Sequence, residues 1–332
     1  MPMEKMKLTF VNVGYGEAML LECADASRPG GVFTALIDGG SAEASEFEDR
    51  SSGRLPVQEY LSARGLERID LMVSTHTHED HICGLLEAAQ LFPPAELWQT
   101  LPPDYYRGLH PLDVSVAQNP SQSKFLRALN DYITLCSLTE ASGGTIRALQ
   151  AGETVPLCPG LSAKVLAPSQ ADAAALEQQT AALYAETDPA AFLQKLSALD
   201  ARMNNYSLIL RLDYGDARIL LPGDTNLAGY GGIADEELRA VLFKVGHHGQ
   251  IDGADKALAD KVRPAAVVCC ASSDRRYNSA HPDTLHLLKE SGAELYFSDC
   301  PCLPELHTPP HAALMFTIGR NGALDACYLP EA

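Results

Sequence analysis

The residues best suited to chemistry sit in one short run, His76-Thr77-His78-Glu79-Asp80-His81, where three imidazoles and the carboxylate of Asp80 form the pattern HxHxDH. Imidazole and carboxylate together suit Zn, Mn or Fe. On a loop that follows a strand, alternate residues such as His76 and His78 can converge on one cation, while Asp80 and His81 point toward a second. The chemistry expected of such a loop is metal-dependent hydrolysis. Two divalent ions, Zn foremost with Mn or Fe as alternatives, acidify a water and offset charge on the group attacked.

One loop cannot fill two coordination shells, so the remaining donors must come from elsewhere in the chain. Asp224, in Leu221-Pro222-Gly223-Asp224-Thr225, follows an apolar run and a Gly turn. That place suits a carboxylate bridging two cations about 3.5–4 Å apart. His247-His248 ends a second apolar run and is expected to supply a ligand. Asp38, between Leu36-Ile37 and Gly39-Gly40, is expected to hydrogen-bond a ligating histidine and fix its tautomer. His281, just before Pro282, is expected to hold an oxyanion or donate a proton, with helix capping as the plainer reading.

Strand ends must position these groups. Residues 69–73 read as a short apolar strand running straight into Ser74-Thr75-His76, with a helix resuming over 84–91 and another helix over 57–64. Hairpin-like strands at 7–13, 18–21 and 33–37 precede them. The last third repeats the strand, loop, helix order, with strands at 207–212, 218–221, 242–245, 266–270, 295–297 and 313–318 and helices at 235–241, 254–261 and 282–290. Loops at the carboxyl ends of strands are where α/β folds place reactive groups. The middle third, about 92–204, is the least patterned. It offers a helix near 123–135, strand pieces at 145–149, 154–157 and 163–167, and an Ala-rich helical pair at about 169–203. Ser169 with Asp172 caps the first of that pair, and Asp188-Pro189 opens the second. Its apolar stripes, Leu176/Leu183 and Phe192/Leu193/Leu196/Leu199, suit packing on the sheet, with a lid or subunit contact as the alternative.

Of 332 residues, 46% are hydrophobic and 20% charged, which excludes a disordered chain. No apolar run approaches the ~18 residues of a membrane span. Lys and Arg number 25 against 43 Asp and Glu, a net charge of −18 that disfavours long nucleic acid and anionic lipid. The opening Met1-Pro2-Met3-Glu4-Lys5-Met6-Lys7 lacks the apolar core of a signal peptide, so a cytoplasmic protein is expected. Nine cysteines without framework spacing read as reduced thiols, Cys269-Cys270 as small core residues. Cys300-Pro301-Cys302 is a minor candidate for redox chemistry or half a metal site.

Asn12-Val13-Gly14-Tyr15-Gly16-Glu17-Ala18, Leu36-Ile37-Asp38-Gly39-Gly40, the 74–81 loop, 207–212, Gly223-Asp224, 244–249 and 277–282 resemble, in order, the motifs of the metallo-β-lactamase superfamily. They are most similar to its branch represented by the hydrolase domain of competence DNA-uptake channels (ComEC-type). The resemblance covers nearly the whole chain apart from the helical insert. It implies an α/β fold, a single domain over 1–332 built as an αββα four-layer sandwich, with a dinuclear site at one edge. It would make His76 and His78 ligands of the first cation, Asp80 and His81 of the second, Asp224 the bridge, and His247 the remaining ligand of the second. His248 and His281 would then assist the oxyanion or leaving group, and Asp80 or Asp224 would take the proton.

Three departures stand out. Tyr15 and Glu17 replace the branch's usual Gln and Asp; Asn204-Asn205-Tyr206-Ser207 stands where many relatives carry a ligating His; and no membrane channel is attached. Asn205 is thereby a candidate weak or outer ligand. The expectation is a hydrolase of a small phosphodiester or phosphate ester, free of membrane, with the helical insert as the candidate contact for an oligomer. A metal-binding regulatory protein on the same fold, with little catalysis, is the alternative.

Overall fold

The computed structural model describes residues 5–301, 303–304 and 306–332, so Cys302 of the Cys-Pro-Cys candidate lies outside the described residues. Period-two alternation decides the architecture. In β1 (Met6–Val11), β2 (Met19–Ala24), β3 (Val32–Ile37) and β4 (Ile69–Val73), residues such as Leu8, Leu21, Ile37 and Val73 face one apolar cluster, while Val11, Leu20, Leu36 and Met72 face another. Strands apolar on both faces must be covered on both faces. β5 (Pro94–Gln99) and β6 (Thr145–Ala148) extend this sheet on one side. β14 (Ala313–Ile318) and β15 (Leu324–Leu329) extend it on the other, in the order β15-β14-β1-β2-β3-β4-β5-β6.

The second sheet runs β13 (Glu294–Phe297), β12 (Ala266–Cys269), β11 (Leu242–Lys244), β10 (Ala217–Leu221), β9 (Ile209–Tyr214), β8 (Leu161–Ala167) and β7 (Thr154–Cys158). Leu210, Leu212, Ile219, Leu221 and Val268 on its inner face meet Leu8, Phe10, Leu21 and Val73 of the first sheet, forming the buried seam of the sandwich. Outside the first sheet lie α1 (Val57–Ala63), α2 (Glu79–Leu91), α3 (Pro103–Tyr106), α4 (Pro120–Ala141), α5 (Gln170–Tyr184) and α6 (Pro189–Met203). Outside the second lie α7 (Asp235–Leu238), α8 (Lys256–Val262) and α9 (Pro282–Glu290). This is the αββα sandwich.

Each sheet is antiparallel in one half and parallel in the other; β3, β4 and β5 run parallel, as do β10, β11, β12 and β13. The carboxyl ends of β3, β4, β10 and β11 lead into Asp38, His76, Asp224 and His247. The caps read from the sequence are those observed: Ser169 accepts from Asp172 N–H and Asp188 from Ala191 N–H. Leu176, Leu183, Leu196 and Leu199 are buried, so the hairpin's stripes are spent within the chain. The hairpin leaves β8 and returns to β9, both in the second sheet, yet packs with α4 in the helical layer over the first.

Some expected elements differ. α2 begins at Glu79 rather than 84, which puts Asp80 and His81 inside its first turn. The helix expected at 235–241 lasts one turn, because Val241 already pairs with Arg218 and leads into β11. β5 and β15 are additional. Among the described residues no helix is long and apolar enough to cross a membrane.

Candidate metal centre

Asp38 is the hinge of the first half of the site. It holds a left-handed backbone (φ 55°) directly after β3, and its carboxylate accepts from Thr75 N–H at 2.9 Å, Thr75 Oγ–H at 2.7 Å and His81 Nδ1–H at 2.9 Å. The β4 loop and the first turn of α2 are therefore tied to one buried anion. Such close approach needs glycine on both sides: a Cβ on Gly84 would collide with the carbonyl oxygen of Gly39, and one on Gly39 with the backbone of Leu85. The bond to Asp38 fixes the His81 tautomer and turns its Nε2 into the cluster, where this buried atom has no hydrogen-bond partner.

Around that orphaned atom stand Asp80, Asp224 and His248, with one donor atom from each of the four within 4.8 Å of the others. His81 Nε2 lies 3.2 Å from Asp224 Oδ2, and His248 Nε2 lies 2.8 Å from Asp224 Oδ2 and 3.0 Å from Asp80 Oδ2. The first sheet brings Asp80 and His81; the second brings Asp224 and His248. Two imidazoles and two carboxylates fit a divalent cation in donor type and number. The field asks for positive charge as well. Burial pushes the His81 imidazolium toward losing its proton, yet Asp224, Asp80 and Asp38 outweigh burial and hold its pKa well above the ordinary histidine value. His248 is likewise raised, burial being overcome by Asp224 and Asp80. Both carboxylates are held below the usual range by these imidazoles despite burial.

A second convergence lies beside the first. His76 Nε2 and His78 Nδ1 are 3.0 Å apart, and the His76 and His81 rings lie tilted against each other with centroids 4.2 Å apart. Burial, with His81 and His78 nearby, keeps His76 far below the ordinary histidine pKa, hence neutral and able to donate a lone pair.

Two expectations require exchange or relocation. His247 does not join the cluster: its Nδ1–H donates to Asp252 at 2.7 Å, whereas His248 Nδ1–H donates to the Cys270 carbonyl at 2.8 Å and points Nε2 inward. The reason is backbone: both residues are left-handed (φ 48° and 51°) in a tight turn after β11, which turns inward the histidine other than the one the family resemblance implies. His281 is the N-cap of α9, its Nδ1 accepting from Asp283 N–H at 3.3 Å, and it does not line the cleft. Asn205 lies beside Gly229 and its neighbour Asn204 lines the cleft; the Oδ1 atoms of both are buried without a hydrogen-bond partner.

The cleft over the site has a volume of about 310 Å³. Its walls include groups that sequence reasoning passed over. Lys124 of α4 reaches in from one side, 3.5 Å from Glu79, and Asp200 of α6 meets His78. Tyr15 meets His248 at a tilt with centroids 4.6 Å apart and the exposed Tyr277 edge to face at 5.3 Å. Burial and the nearby Asp80 and Asp224 keep the Tyr15 phenol protonated. Beneath, the buried Lys244 donates to the Gly223 carbonyl at 2.8 Å and pairs with Glu17, which braces the Asp224 turn. A lysine inside the apolar run Leu242-Phe243-Lys244-Val245 was the available signal for it. Asp200 and Lys124 stand on amphipathic helices and carried none.

The chain is similar to several known proteins. ComE operon protein 3 of Bacillus subtilis (strain 168) is 21% identical over 302 residues, 88% of this chain and 32% of that protein, so the chain spans about a third of its length. Among solved structures, Zn(2+)-bound PqqB from Methylobacterium extorquens is 10% identical with a TM-score of 0.45, covering 88% of this chain and 97% of its own. A diphosphatase of the PhnP family is 14% identical with a TM-score of 0.38, covering 79% and 85%. The family model described as metallo-beta-lactamase superfamily matches residues 18–144, the stretch that runs from β2 through the ligand loop to the end of α4. The HxHxDH loop at the carboxyl end of β4 falls inside the stretch that matches the metallo-β-lactamase superfamily model, and the second sheet closes the cluster from outside that stretch.

Proposed function

We propose that the protein hydrolyses a small phosphodiester or phosphate ester at a pair of divalent cations. The observation that carries the reading is the four-donor cluster of Asp80, His81, Asp224 and His248, beside the His76–His78 convergence, at the floor of a cleft into which the Lys124 ammonium group projects. Divalent cations held there supply electrophilic charge to the ester and a nucleophilic water near neutral pH.

The chain's own groups do the rest. Asp38 orients His81, and the Cys270 carbonyl orients His248, so both imidazoles meet the site in one tautomer. Asp80 and Asp224, held ionised, would accept the proton of an attacking water. Lys124 is a point charge for the non-bridging oxygens of the ester, kept protonated by Glu79, Tyr277 and Asp80 against the effect of burial. Tyr15 offers a phenolic hydrogen-bond donor, and the Tyr15–Tyr277 pair offers an aromatic wall. A cleft of about 310 Å³ in a chain of net charge −18 favours a small ester over a long polyanion.

The test is turnover of bis-p-nitrophenyl phosphate by the metal-loaded protein and by Asp80→Ala. The wild type is expected to turn the ester over and the variant to lose activity while keeping its fold; equal rates would sink the reading. The binding-protein alternative predicts one tightly held cation and no turnover across a panel of esters.

A further inference from the structure

The helical hairpin α5–α6 is the part of the cleft wall that the two sheets do not supply. It crosses from the second sheet to the helical layer over the first, and α6 comes to rest against α4. That crossing delivers one carboxylate to the site. Asp200 Oδ1 lies 3.1 Å from His78 Nε2, and Asp200 Oδ2 accepts from Ser121 Oγ, at the start of α4, at 3.2 Å. On the other side of the same ring, His78 Nδ1 faces His76 Nε2 at 3.0 Å. The His78 imidazole is thus held from both sides.

A neutral imidazole carries one N–H. An ionised carboxylate at Nε2 can only accept, so the proton is drawn to Nε2 and the lone pair is left on Nδ1, the nitrogen turned toward His76. Resting on the dinuclear reading above, we infer that the hairpin is a working part of the metal centre, with Asp200 the positioning residue that fixes the tautomer and rotamer of His78. The position carries extra weight here because residues 204–207 supply no imidazole, so the convergence rests on two histidines. Loss of order in one of them removes half of its nitrogen donors.

The experiment titrates metal-free wild type, Asp200→Asn and Asp200→Glu with Co(II), following the visible absorption of each equivalent together with the melting temperature of the metal-free proteins. In the wild type a tight equivalent fills the Asp80, His81, Asp224 and His248 cluster and a weaker one fills the His76–His78 position. Asp200→Asn, an isosteric change, is expected to weaken the second equivalent about 10- to 100-fold and alter its absorption, with the first equivalent and the melting temperature unchanged. Asp200→Glu restores part of the loss. Two equivalents of wild-type affinity in Asp200→Asn would overturn the inference alone. Weakening of both equivalents with a lowered melting temperature would make Asp200 merely structural and overturn it as well. A wild type that takes up one equivalent would overturn the dinuclear reading, and this inference with it.

Discussion

The loop after β4 and the loop after β11 do the same job from opposite sheets, and they do it with different backbones. The first carries its histidines on extended chain up to His78, the N-cap of α2 (φ −116°, ψ 157°), and then hands over to the helix. Alternation on extended chain and the pitch of a helical turn are both legible periods, so His76, His78, Asp80 and His81 all land where their spacing suggests. The second carries adjacent histidines on a left-handed turn, where neither period holds. There the residue types announce a candidate ligand, and only the fold says which of the two faces Asp80 and Asp224.

The largest test of that contrast is a pair of substitutions in the second loop. His248→Ala is expected to lose tight metal binding and all measurable ester turnover, whereas His247→Ala keeps its metal content by elemental analysis and most of its rate. Reversal of the two outcomes would restore the assignment suggested by the family pattern. A second test strikes the support of the first loop. Asp38→Asn replaces an obligate acceptor with an amide and is expected to cost about 10- to 100-fold in metal affinity, read by competition with a chromophoric chelator. Gly84→Ala, which forces the α2 turn away from Gly39, is expected to lower stability by about 1–3 kcal/mol in urea melts; no change there would mean that the tight contact is not what seats the loop. Smaller again is Lys124→Ala. If the ammonium meets the ester's oxygens in ground and transition state alike, KM rises about tenfold, ~1.4 kcal/mol, with little change in kcat.

Much of the frame could be read in advance because it follows from local rules. Ser169 and Asp188 cap their helices, Pro282 opens α9, and the apolar runs before Ser74 and before Pro222 are strands. What escaped depended on neighbours. Pro94-Ala95-Glu96-Leu97-Trp98-Gln99 lacks alternation, and it is a strand because β4 and β6 pair with it on both sides. β15, with its mixed burial, is an edge strand held by β14. Asp200 is the one acidic residue of the amphipathic α6, and its meeting with His78 across 122 positions is a consequence of the hairpin's crossing. Pairwise spacing within a few residues carries no information about such contacts.

The cluster spans the seam of the sandwich, with Asp80 and His81 mounted on one sheet and Asp224 and His248 on the other. A cation there would be a removable rivet at the edge of two plates that the apolar seam and the Lys244–Glu17 pair already join. Its withdrawal by a chelator leaves the apolar seam in place but frees the plates to shear at that edge. Amide exchange should therefore quicken at the carboxyl ends of β3, β4, β10 and β11 together, while the far ends of the same strands keep their protection.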